Sequence, residues 1–111
     1  MYGVRITLEG HNLTRLPDLL LKEVGDAYIY TTDHVTALVS ERYYLRVNSE
    51  LMLVVFMNFV SDSKCEVEIL SGGGREGVIG LDWGAESSYT STAAGHLRDI
   101  CKAQAWKFIA H

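Results

Sequence analysis

A chain of 111 residues with a single proline and 48% hydrophobic residues has material for one packed core and is too apolar for a disordered segment. Ten Lys and Arg against fourteen Asp and Glu give a formal charge of −4, and the cations are scattered, which excludes the clustered basic footprint of a nucleic-acid binder. The longest apolar run, LMLVVFMNFV at 51–60, falls well short of the about twenty residues a membrane helix needs. MYGVRITLEG lacks a signal-peptide core, so a soluble, cytoplasmic, single-domain protein over residues 1–111 is expected.

In GVRITLE, Val4, Ile6 and Leu8 alternate with Arg5, Thr7 and Glu9, the period of a half-buried strand. NLTRLPDLLLKEVG follows. Pro17 suits a first helical turn, Leu16, Leu19, Leu20 and Val24 share a face, and Gly25 is a natural stop, so a helix is predicted over about 16–24. DAYIYTT at 26–32 is rich in strand formers. HVTALVSER at 34–42 fits two periods; the alternation of Val35, Ala37 and Val39 favours extended structure. RYYLRV reads as strand and VNSE as a turn.

LMLVVFMNFV is apolar on both faces, whereas a strand of an antiparallel sheet usually keeps one face wet. A strand dry on both sides is expected, roofed by helix on one and by a second subunit on the other. SDS is a turn, and KCEVEIL at 64–70 turns Cys65, Val67 and Ile69 inward. GVIGLDW is predicted as a further strand, with Ile79, Leu81 and Trp83 on one face. A long amphipathic helix over about 87–109 then carries Ala93, Leu97, Ile100, Cys101 and Phe108 on one stripe. Gln104 falls on that stripe and Trp106 opposite it. Strands grouped together with helices outside them predict an α+β fold: an antiparallel sheet of about five strands, helices on one face.

Little in the chain specifies chemistry. Gly72, Gly74 and Gly77 match the spacing GxGxxG, but the residues that follow read as strand and no Walker lysine is present. The glycines are read as a hairpin loop, with Arg75 left as a candidate anion contact. His11, His34, His96 and His111 show no ligand spacing, and Cys65 and Cys101 read as buried thiols, so no metal, cofactor or catalytic group is expected. Glu86 is placed at the start of the last helix, where an acid favours the dipole. Arg75, Asp82, Glu86 and His96 are the candidate polar mouth of a small-molecule pocket between sheet and last helix. Tyr28, Tyr30, Tyr44 and Trp106 are the candidate contact surface for a second copy.

ERYYLR at 41–46, SGGG at 71–74 and WGAE at 83–86 together resemble a family of small uncharacterised bacterial proteins. The resemblance covers about residues 40–100. It implies a shared fold and a bacterial cytoplasmic setting, and no activity.

Overall fold

The computed structural model describes residues 2–44, 49–73 and 81–111, with side-chain surroundings for 3–41, 52–72 and 92–111. In chain order the elements are β1 (Tyr2–Glu9), a 3-10 turn (Leu13–Arg15), α1 (Leu16–Val24), β2 (Tyr28–Thr31), β3 (Val35–Tyr44), β4 (Ser49–Ser61), β5 (Lys64–Gly73), α2 (Leu81–Gln104) and β6 (Lys107–Ala110). The fold is α+β. Its strands form one antiparallel sheet in the order β2-β3-β4-β5-β1-β6. The run from β2 to β5 is a meander, and β1 is inserted between β5 and β6.

Local chemistry sets most of these limits. α1 carries Pro17 in its first turn, where the missing N–H has no intrahelical partner to lose. It stops at Gly25, whose φ of 82° suits a residue without a side chain. The β4–β5 connection is tight: the Ser61 hydroxyl accepts from the Ser63 N–H at 3.3 Å, and a bulge lies between Phe59 and Ser61.

The sheet has one covered face. Leu38, Leu53, Val55, Met57, Cys65, Val67, Ile69, Ile6 and Leu8 are buried there against Leu16 and Leu20 of α1 and Ala93, Leu97, Ile100 and Cys101 of α2. Each fully buried leucine of this set contributes about 1.5–3 kcal/mol of transfer free energy. On β3 the covered side belongs to Thr36, Leu38 and Ser40. Val35, Ala37 and Val39, whose alternation marks the strand, are the outward set. The inward hydroxyls are tolerated because they are bonded, Thr36 to Thr31 Oγ1 at 3.4 Å and Ser40 to the Asp26 carbonyl at 3.1 Å.

Four expectations are corrected. Ser49 and Glu50, read as turn, open β4 and pair with Tyr44 and Tyr43. Leu81, Asp82 and Trp83, read as strand, begin α2, so Glu86 lies inside the helix and not ahead of it. Three alternating residues cannot separate a period of 2 from one of 3.6, and an acid in the first turn favours the helix. The glycine loop itself, from Gly74 to Gly80, lies outside the described residues.

The third correction is at the other end of α2, which stops at Gln104, and the following residues form β6. Ala105 adopts a left-handed conformation (φ 62°), the Trp106 N–H bonds the Cys101 carbonyl at 2.9 Å and the Ala105 N–H bonds that of Lys102 at 3.4 Å. This is the hydrogen-bond pattern of a Schellman cap, made with alanine where glycine is usual. Because an L-residue is strained there, Ala105→Gly is expected to stabilise the fold by about 0.5–1 kcal/mol, after the greater chain entropy of unfolded glycine. Thermal denaturation checks this; an unchanged or lower Tm contradicts it.

The fourth concerns β4. Its inner residues Leu53, Val55 and Met57 are fully buried, but on the opposite face Met52 is 42% and Phe56 39% exposed. The strand is therefore not dry on both sides. In the single chain the apolar outer residues of β4 are left uncovered.

Candidate functional site

The uncovered face of the sheet is laid out by cross-strand register. One row runs Tyr30, Ala37, Phe56, Glu68, Arg5 across β2, β3, β4, β5 and β1. The next runs Tyr28, Val39, Val54, Leu70, Gly3. A third joins Asn58, Glu66, Thr7 and Ile109. Partners in a row share a face, so the outer surface divides in two. Over β2, β3 and β4 it is aromatic and aliphatic, with Tyr28 68% and Tyr30 56% exposed. Over β5 and β1 it is charged.

Where the halves meet lies a cavity of about 660 Å³, lined among others by Phe56, Asn58, Lys64, Glu66, Arg5 and His111. Arg5 Nε donates to Glu68 Oε2 at 3.2 Å. Thr7, nearly buried, shares a 2.7 Å hydrogen bond with His111 Nε2. A second cavity of about 540 Å³ lies at the end of the sheet among Thr31–Thr32–Asp33–His34 and Val60–Ser61–Asp62.

The sequence-predicted pocket residues are not assembled among the described residues. Arg75 lies outside them, and Asp82 and Glu86 sit in the N-terminal part of α2 with side chains outside the described set. His96 faces α1, its Nδ1 3.6 Å from Glu23 Oε2, at the seam between the helices. From Ala93 to Cys101, α2 packs directly on the sheet. Of the predicted contact residues, Tyr28 and Tyr30 share the outer face, and Tyr44 ends β3 with its side chain outside the described set.

Trp106 is a correction. It is 6% exposed, packs on Gly10 and donates its indole N–H to the His11 carbonyl. The helix ends before it, so its direction is set by the cap and not by the helical wheel that places it opposite the apolar stripe. Its surface is spent inside the chain, and no partner can use it.

Burial pushes the Cys65 thiol up to about 12, with Glu66 adding to the effect, and burial alone pushes Cys101 up to about 11. Both stay neutral near pH 7, and a neutral thiol is a poor nucleophile. Among the described residues no three His, Cys, Asp or Glu side chains converge as metal ligands, and no helix is long and apolar enough to cross a membrane.

Sequence reasoning missed the cavity. Alternation already points Arg5, Thr7, Glu66 and Glu68 outward, but only the pairing of β1 with β5 sets them beside one another. No family model, curated protein or solved structure matches the chain.

Proposed function

We propose that this chain is a non-catalytic α+β module that self-associates through the aromatic half of its uncovered sheet face. The observation that carries the reading is the grouping of Tyr28, Tyr30, Met52 and Phe56 on a face without a helix. Sheet faces of this kind pack on one another about 10 Å apart, the architecture of a β-sandwich. A second copy supplies the identical face around a two-fold axis, with the exposed Glu41, opposite Met52, an acidic group at the edge of the patch.

The apolar half spans three strands at about 4.8 Å each, so it offers a few hundred Å² against the roughly 800 Å² per partner of a standard interface. The association is therefore weak and reversible. The resemblance carried by ERYYLR, SGGG and WGAE supports the accompanying reading, a small bacterial cytoplasmic protein.

Sedimentation equilibrium tests it. The weight-average mass is expected to climb from 12.4 kDa toward twice that value as concentration rises into the high micromolar range. Tyr28→Glu combined with Tyr30→Glu should hold the protein at 12.4 kDa without lowering its Tm. A wild-type mass that stays monomeric up to roughly 0.5 mM sinks the proposal.

A further inference from the structure

The charged half of the same face contains a second site, which shares Phe56 with the self-association surface. Its cavity is bounded on one side by the Phe56 ring and on the other by Arg5, Lys64, Glu66 and Glu68. Its volume of about 660 Å³ lies within the range of small-molecule sites, about 300–1,000 Å³. Arg5 and Glu68 neutralise one another at 3.2 Å. Lys64 and Glu66, two residues apart on β5 and pointing to the same face, have no ion-pair partner among the described residues.

This arrangement discriminates by charge. A phosphate or a simple carboxylate that reaches Lys64 also meets Glu66 beside it and Glu9 on the neighbouring strand. A polyamine that reaches Glu66 also meets Lys64 and Arg5. A molecule bearing both signs finds a complement for each on the same strand. Successive same-face residues of a strand lie about 6.6 Å apart, which long Lys and Glu side chains bridge to the two ends of a small zwitterion. Phe56, 39% exposed, offers an apolar surface beside them, and Thr7, Asn58 and His111 add hydroxyl, amide and imidazole groups along the wall.

We infer that the trough over β4, β5 and β1 binds a small zwitterion with an apolar side chain, an amino acid or short peptide. The ligand ammonium lies on Glu66, its carboxylate on Lys64 and its side chain against Phe56. No bond is made or broken. The site shares Phe56 with the self-association surface, but its charged contacts, Lys64 and Glu66, lie on β5 outside that surface, so their substitution tests the site separately.

Amide-resolved NMR titration of the full chain tests the assignment with four probes: leucine, the dipeptide Leu-Leu, its N-acetylated form and its C-terminal amide. The zwitterionic dipeptide is expected to give saturable shifts at Arg5, Thr7, Phe56, Asn58, Lys64 and Glu66. Each end-blocked form should bind about tenfold more weakly, since each loses a charged contact. Leucine binding as well as Leu-Leu assigns a free amino acid, and weaker binding of leucine assigns a peptide. Lys64→Met and Glu66→Gln, both on the sheet surface, should each weaken Leu-Leu by about tenfold while leaving the Tm in place. The inference is overturned if no probe gives saturable shifts, if the blocked forms bind as tightly as the parent, or if either substitution leaves affinity unchanged.

Discussion

Trp106→Ala is expected to destabilise the fold by about 3–5 kcal/mol, a large part of the 5–15 kcal/mol available to a domain of this kind. Trp106 closes the joint between the end of α2, the loop after β1 and the start of β6. The Trp106 N–H completes the helix cap on Cys101, the indole N–H satisfies the His11 carbonyl, and the ring lies on Gly10. Truncation opens a cavity and leaves a carbonyl without its donor. Trp106→Phe keeps most of the apolar contact and loses only the indole hydrogen bond, so its cost should be about 1–2 kcal/mol. Gly10→Ala probes the contact from the other side: a methyl there overlaps the indole ring, and forcing it in costs about 1–3 kcal/mol. Urea denaturation of the three variants gives the ranking. If Trp106→Ala costs no more than Trp106→Phe, the ring is not the closing element.

The second large effect is alkaline. Cys65 and Cys101 titrate at about 12 and about 11 in the fold, against an ordinary value of 9.0. The folded protein holds protons that the unfolded chain releases above pH 9. The sign follows: the stabilisation is complete below pH 9 and declines as pH rises, until about 11 for Cys101 and about 12 for Cys65. Each thiol then lowers the unfolding free energy by roughly 1 kcal/mol per pH unit across its window, and the two act in the same direction. Denaturant midpoints at pH 8, 9 and 10 check the slope. Cys65→Ala should be less stable at pH 8, from its cavity, and should fall less steeply above pH 9 than the wild type. Ionisations common to both proteins cancel in the comparison. Parallel curves would falsify the assignment.

The elements whose limits were legible in the sequence are those with local punctuation or a full period. Pro17 and Gly25 bracket α1, and the clean alternations of Val4, Ile6 and Leu8 and of Cys65, Val67 and Ile69 mark β1 and β5 with their inner faces. Legibility failed where the deciding interaction is not local. Nothing near Lys107 to Ala110 announces β6, because the strand exists through its pairing with residues 6–9. The left-handed turn that ends α2 is held by an alanine, a residue that carries no stop signal. β4 misled for a different reason: its run of apolar residues shows that both faces can be dry without showing that the chain has anything to lay on the second. The candidate surface was half visible, since Tyr28 and Tyr30 stand out by composition. The charged trough was not visible, because its walls come from strands far apart in sequence.

The insertion of β1 between β5 and β6 has a consequence for how the protein is made. During synthesis the first strand emerges well before either neighbour exists. The meander from β2 to β5 zips through short connections, whereas β1 must wait, its apolar side unsheltered, until the opposite end of the chain is available. Contacts of such long sequence separation slow folding, because loop closure precedes any gain from pairing. The pairing of β1 with β6 therefore requires residues 107–110, and a nascent polypeptide still lacking them has β1 partnered along its β5 edge alone.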